Sequence, residues 1–278
     1  MPIGTWEWDE TLYAGSAPHY SVGRMPYPPE LAEAIRAEVG LDGTGRLLDV
    51  GCGPGSLTLL LAPLFAAAVG VDADGDMLAE ARRRAADRGI GNVEWRRLRG
   101  EELPAGLGTF RAVTFAQSFH WMDRPLVARR VRDMLADGGV WLHVHASTHE
   151  GVSGGEPLPH PSPPWDRVNG LVAAHLGPVR RAGQGYLPTG IPSGENEIMR
   201  GAGYLGPTRF EVEGGQVVER SLDEIVAAVF SLSSSAPHLF GDRLPDFEAE
   251  LRDLLLDASP TGRFAERRRA VAVDLWRP

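Results

Sequence analysis

The sequence predicts an α/β fold: an open, mostly parallel sheet of about seven strands, with helices on both faces and a small cap. Two observations carry that expectation. Short apolar runs alternate with segments of helical spacing, and a glycine-rich turn directly follows the first apolar run. Residues 31–39 have helical spacing and begin beside Pro29. Residues 46–50 form a short buried strand, and a helix runs from about Ser56 after the glycine turn. Strand, helix and strand are then expected over 67–71, 77–87 and 93–96. A fourth strand covers 111–116, a helix 125–135, and a fifth strand 140–145 after the turn Asp137-Gly138-Gly139. Strands alternating with helices imply parallel pairing through right-handed crossovers.

Beyond residue 150 the chain becomes dense in Gly and Pro, with one helix expected over 165–175. The pattern resumes with a strand over 210–220, helices over 222–232 and 246–256, and a final strand over 270–276. The expected organisation is therefore an N-terminal lid (1–29), a core (30–149), a cap insertion (150–207), and the end of the sheet with cap helices (208–278).

Composition excludes several chemistries. The 28 basic residues are all arginine, and against 37 acidic residues they leave a formal charge of −9. Without lysine there is no Schiff base and no P-loop lysine. An acidic balance argues against a nucleic-acid partner. Cys52 is the one cysteine, which excludes an internal disulfide and a multi-cysteine zinc site. The longest apolar candidate, 57–71, is broken by Pro63 and Gly70, so no membrane span is expected. The first ten residues lack the basic start and apolar run of a secretory signal, and a cytoplasmic protein is expected.

The strongest local signal is Leu48-Asp49-Val50-Gly51-Cys52-Gly53-Pro54-Gly55 between strand and helix. Glycines at alternate positions let the backbone approach a ligand closely. An acid about 20 residues on, here Asp72, suits ribose hydroxyls. The G-x-G-x-G spacing and Asp49, two residues before the first glycine, disfavour a pyrophosphate. They suit S-adenosylmethionine, which carries adenosine, no phosphate and two cationic centres.

With those residues in place, the chain resembles the class I S-adenosylmethionine-dependent methyltransferases, in particular a subgroup acting on small molecules. The resemblance rests on residues 48–55, on Val69-Gly70-Val71-Asp72, on the acidic loop 99–104, on Phe115-Ala116-Gln117-Ser118-Phe119-His120-Trp121, and on the turn 135–139. It implies a Rossmann-like fold and S-adenosylmethionine as cofactor. The cofactor would be held by Asp49, Gly51, Cys52, Gly53, Gly55, Asp72 and Ala73, with Met77 packed on the adenine. Gly100, Glu101, Ala116 and Gln117 would complete the cradle. The lead-in 20–28 adds Tyr20, and Arg24 for the cofactor carboxylate or an anionic substrate. Arg99 departs from the family, many of whose members carry an acid there; adenine recognition then falls to Gly100 or Glu101.

The expected reaction is in-line methyl transfer to a small-molecule acceptor, with a hydroxyl as the acceptor group. His120 follows the fourth strand, where it would either take the hydroxyl proton or wall the pocket with Trp121. His143 and His145 share one strand face, in the geometry of two metal ligands; His149 lies nearby. No acid stands at a telling spacing, so no metal is expected, and His145 is assigned to substrate together with Trp121. The aromatics Trp6, Trp8, Tyr13, Tyr20 and Tyr27 suit a water-excluding lid. A non-methylating reaction on the same cofactor, such as a cyclisation, and a nicotinamide-dependent oxidation remain the alternatives.

Overall fold

In the computed structural model, the described residues are 9, 11–182, 185–187 and 194–278. Trp6 and Trp8 of the expected lid lie outside them. In chain order the elements begin with α1 (Ala17–Gly23), α2 (Pro29–Val39), β1 (Arg46–Val50), α3 (Ser56–Leu61), β2 (Ala67–Asp72), α4 (Gly75–Asp87) and β3 (Val93–Arg97). There follow β4 (Phe110–Ala116), α5 (Arg124–Arg132), β5 (Leu135–His145), α6 (Trp165–Leu176), β6 (Arg180–Ala182), β7 (Gly185–Leu187) and α7 (Glu195–Gly201). The chain ends with β8 (Leu205–Val212), β9 (Val217–Ser221), α8 (Leu222–Phe230), α9 (Leu244–Ala258), β10 (Arg263–Arg267) and β11 (Val271–Arg277).

A seven-stranded sheet in the order β3-β2-β1-β4-β5-β11-β8 organises the molecule. Its first five strands pair in parallel, and β11 is antiparallel to both β5 and β8. This is the expected Rossmann-like class. Period-two alternation sorts β1 between the two faces. Leu47 packs with Leu31, Ile35 and Leu61 of α2 and α3, whereas Leu48 and Val50 pack with Val127 and Val131 of α5.

Local chemistry fixes the ends of the elements. The Asp74 carboxylate caps α4 by accepting from the Asp76 and Met77 N–H groups. Gly40 closes α2 in the left-handed region, φ +67°. Two boundaries differ from expectation. The fifth strand begins at Leu135, because Gly138 at φ +71° turns the chain within a bulge instead of ending the strand. The single strand over 210–220 is two, since Gly215 at φ +95° redirects the chain from β8 to β9, which pairs with β10.

A third apolar cluster forms the cap, joining Val168 and Val172 of α6 to Ile225 and Phe230 of α8, Phe247 and Leu251 of α9, and Phe264 of β10. The span 150–207 is therefore divided: α6 belongs to this cluster, while Met199 of α7 is buried with the α5 side of the sheet. Helix α1 docks on α8 so closely that a Cβ at Gly23 would stand 2.2 Å from the Ala227 carbonyl carbon. No helix among the described residues is long and apolar enough to cross a membrane.

Candidate functional site

Two adjoining chambers open at the carboxyl end of the parallel strands, where open α/β sheets bind their ligands. Tyr13, Tyr20, Gln117 and Trp121 line both and so form the boundary between them. The first chamber is floored by Gly51 and Gly53 of the β1–α3 turn and walled by Asp72, Ala73 and Met77 from the β2–α4 junction. Leu98, Gly100, Glu101, Ala116 and Met122 complete it.

Each glycine has a distinct steric reason. A Cβ at Gly51 would meet Ser118 Cβ at 2.5 Å, and one at Gly100 would meet Met122 Sδ at 2.5 Å. Gly53, at φ +53°, leaves open space where a Cβ would stand. Asp72 is aimed by the turn itself: its Oδ2 accepts from Gly53 N at 2.7 Å and its Oδ1 from Asp74 N at 2.9 Å. Burial raises its pKa to about 6 against the pull of those N–H groups. Glu101 Oε1 accepts from Asp123 N at 2.7 Å, which ties the β3–β4 connection to the start of α5. Met77 and Leu98 give this chamber an apolar lining beside the Asp72 carboxylate, and a Cβ at Gly53 would meet nothing within 4 Å.

The second chamber has a volume of about 350 Å³ and a more polar wall. Arg24, His120, His149, Glu150, Asn169 and Arg180 contribute to it, with the serines at 233–235. Arg24 is fixed in place, donating from Nε to Ser231 Oγ at 2.8 Å and from Nη2 to Ser231 O at 3.1 Å. Among the described residues, the buried Nε and Nη1 of Arg180 have no hydrogen-bond partner. Burial, reinforced by His143, lowers the pKa of His120 to about 4, and burial among Arg24, Arg269 and Arg220 lowers that of His149 to about 3. Both imidazoles are neutral near pH 7. At the boundary Tyr13 meets Trp121 edge to face, with ring centroids 5.9 Å apart. Gln117 adopts φ +56°, a left-handed conformation that costs a non-glycine residue about 1–3 kcal/mol.

Ten of the residues expected at the cofactor line the first chamber: Tyr20, Gly51, Gly53, Asp72, Ala73, Met77, Gly100, Glu101, Ala116 and Gln117. Four others do not. Asp49 is 1% exposed, and both its oxygens are taken, Oδ2 by the Thr58 hydroxyl at 2.5 Å and Oδ1 by that of Thr114 at 2.8 Å. It ties β1 to α3 and β4 instead of facing a ligand. Cys52 stands behind the wall with its Sγ 3.6 Å from Gly53 O, where burial raises its pKa well above the ordinary thiol value. Gly55 serves packing, because a Cβ there would meet Trp95 Cη2 at 2.6 Å. Arg24 belongs to the second chamber, held there by Ser231.

Of the residues expected at the catalytic and substrate positions, His120 and Trp121 line the second chamber, and His145 does not. Asp274 of the antiparallel neighbour β11 holds His145 Nε2 at 3.0 Å, outside the chamber wall. Nor do the histidines lack acids: Glu195 hydrogen-bonds His143 Nδ1. Leu98, Met122, Asn169 and Arg180 carried no local signal in the sequence; Tyr13 was expected only as an aromatic of the lid, and His149 only as a neighbour of the His143–His145 pair.

The fold and the first chamber resemble those of the class I S-adenosylmethionine-dependent methyltransferases, and part of the chain matches a methyltransferase domain. Residues 47–139 match the family model described as a methyltransferase domain. The chain is 36% identical over 116 residues to a trans-aconitate 2-methyltransferase from Rhodopseudomonas palustris, covering 39% of this chain and 41% of that protein. It is 31% identical over 100 residues to the methyltransferase YcgJ of Bacillus subtilis, covering 36% of this chain and 40% of the relative. The aligned stretch thus spans less than half of either relative. In fold, the crystal structure of YcgJ covers 89% of this chain and 98% of its own, with a TM-score of 0.50 at 17% identity. That of the [4+2]-cyclase SpnF covers 96% of this chain and 94% of its own, with a TM-score of 0.53 at 19% identity.

Proposed function

We propose that this protein transfers a methyl group from S-adenosylmethionine to an oxygen atom of a small molecule held in the second chamber. The observation that carries this reading is the boundary shared by the two chambers, Tyr13, Tyr20, Gln117 and Trp121. A cofactor seated on Gly51, Gly53 and Asp72 would present its reactive end to that boundary. The cofactor supplies a methyl group already activated by a sulfonium. The protein's task is then to hold two reactants in line and dry. Asp72 would hold the ribose, Met77 and Leu98 the adenine, and the aromatic boundary would exclude water.

With a hydroxyl acceptor, His120 receives the proton as the oxygen attacks. Burial keeps the imidazole neutral at pH 7 with its lone pair available, while the pKa of about 4 makes it a weaker base than an ordinary histidine. A carboxylate acceptor is the second reading, favoured by Arg180 with its unpartnered Nε and Nη1 and by Arg24 on the same chamber. The R. palustris relative, named for trans-aconitate, agrees with that reading. A carboxylate needs no base. A nucleic-acid substrate is disfavoured by the charge of −9.

The test is a calorimetric titration with S-adenosylhomocysteine, followed by incubation of S-adenosylmethionine with hydroxyl- and carboxylate-bearing acceptors and mass analysis of the products. Binding together with a product heavier by one methyl group supports the proposal. Tight binding of a nicotinamide dinucleotide in place of S-adenosylhomocysteine overturns it. A product of unchanged mass would assign the chamber to a rearrangement, the kind of reaction named for SpnF, on a shared fold.

A further inference from the structure

We infer that His143, His145 and Glu195 form a binding site for one divalent transition-metal ion of the zinc class. The site starts from strand periodicity: residues two apart on β5 share a face, so the two imidazoles stand side by side with ring centroids 4.2 Å apart. Glu195, the first residue of α7, comes from 52 residues beyond His143 and hydrogen-bonds its Nδ1. One ligand-capable atom from each of the three residues lies within 4.8 Å of the others. An ion held at about 2.1 Å from each donor needs donor separations of roughly 3.5 Å. To admit the ion Glu195 must draw back from His143 Nδ1, and the adjustment falls on His145 and Glu195, whose side chains are 34% and 26% exposed, and not on His143 at 6%.

The donor set selects the ion. Two imidazoles and one carboxylate suit Zn²⁺, Co²⁺ or Ni²⁺, whereas Mg²⁺ and Ca²⁺ take oxygen ligands. A second carboxylate completes the arrangement. Asp274 lies opposite His143 in the β5–β11 register, and its Oδ2 accepts from Nε2 of His145 at 3.0 Å. That bond places the proton on Nε2 and leaves the lone pair on Nδ1, as in histidine ligands whose far nitrogen is held by an acid. The bland alternative is a hydrogen-bonded polar cluster in the sheet edge. It would explain each His–carboxylate pair separately, but not why both pairs converge on one point. Neither His143 nor His145 lines the two chambers, so the ion's role is to fasten α7 to β5 beside the turn that carries His120. The ring of Phe119, next to His120, meets that of His143 edge to face, with centroids 6.0 Å apart.

The test uses the full chain stripped of metal by chelator and dialysis, with Zn²⁺ and Co²⁺ as probes and no cofactor present. The expected result is one Zn²⁺ per chain, a Tm that rises with Zn²⁺ concentration, and visible ligand-field absorption when Co²⁺ is added. Glu195→Gln and His145→Gln should each weaken Zn²⁺ binding at least tenfold, and Asp274→Asn should weaken it about 10–100-fold through the histidine it holds. His160→Gln, at a separate surface pair with Glu219, should leave binding unchanged. Should one variant fail to fold, the Co²⁺ spectrum of the unaltered chain still decides whether nitrogen ligands are engaged. Zn²⁺ binding that survives both ligand substitutions, or Mg²⁺ raising Tm as much as Zn²⁺, overturns the inference. None of these readouts depends on methyl transfer.

Discussion

Arg220 and Glu266 form an ion pair, Nη1 to Oε1 at 2.6 Å, with side-chain exposures of 3% and 2%. The pair is the knot of the cap. Arg220 also donates to the carbonyl oxygens of Gly23, His149 and Glu224, and Glu266 Oε2 accepts from Gly151 N and Trp165 Nε1. It thereby joins the end of α1, the segment after β5, α6 and α8. Both terminal nitrogens of Arg220 and both carboxylate oxygens of Glu266 are thus hydrogen-bonded.

Because the two buried charges face each other, removing one partner should be costly. Glu266→Gln is expected to destabilise folding by about 3–5 kcal/mol, read from urea unfolding. Replacing both residues with apolar side chains of similar volume should recover part of that loss. A change below about 1 kcal/mol for the single variant would show that the pair is dispensable.

Asp72 should make cofactor affinity depend on pH. Its pKa stands at about 6 in the folded chain, and ribose hydroxyls donate best to the ionised carboxylate. Binding therefore favours loss of the proton: affinity is full above pH 6 and falls by up to about tenfold per pH unit below it. Calorimetry with S-adenosylhomocysteine at pH 7.5 and 5 measures this. Asp72→Asn should bind weakly and with no such slope.

Two glycines should respond in opposite ways. At Gly23 a Cβ would lie 2.2 Å from the backbone of α8, which cannot give way, so Gly23→Ala should undock α1 and lower Tm. At Gly53 a Cβ meets nothing, but φ is +53° and the residue lines the first chamber. Gly53→Ala should cost only about 1–2 kcal/mol of stability, yet weaken S-adenosylhomocysteine binding more than Gly23→Ala does for each degree of Tm lost.

His149 should make stability pH-dependent. Its folded pKa of about 3 lies below the ordinary 6.5, so between those values the unfolded chain binds the proton and the folded chain does not. Stability from this group is whole above pH 6.5 and falls with pH by about 1.4 kcal/mol per unit until about pH 3. His120 acts in the same sense down to about pH 4, and Asp72, raised from 3.8 to about 6, opposes them across that interval. Comparison with His149→Gln isolates the term: the variant should lose less stability than the parent between pH 7 and pH 5.

His120→Ala should leave S-adenosylhomocysteine binding intact, since the ring lines only the second chamber. Turnover of a hydroxyl acceptor should fall by about 10²–10⁴-fold. Unchanged kcat would make His120 a wall of the chamber.

The sequence by itself determined the class of fold and the cradle's floor, because both rest on short-range order. The alternation of periods along 46–145, the turn at Gly51 and Gly53, and the acid at Asp72 all lie on consecutive elements whose mutual placement the parallel crossover fixes. Tertiary structure decided where side chains spend their hydrogen bonds. Asp49 sits in the expected motif, but Thr58 and Thr114, 9 and 65 residues away, turn it into a tie between elements. His145 shares a strand with His143, yet Asp274, 129 residues on, takes it away from the acceptor chamber. Glu195 supplies the acid that no nearby spacing showed. Arg24 meets Ser231 across 207 residues. Backbone geometry is set by neighbours in sequence, whereas a polar side chain's role is set by whichever partner burial brings within 3 Å. For this chain those partners come from the parallel core at Thr58 and Thr114, and from β11, α7 and the cap at Asp274, Glu195 and Ser231.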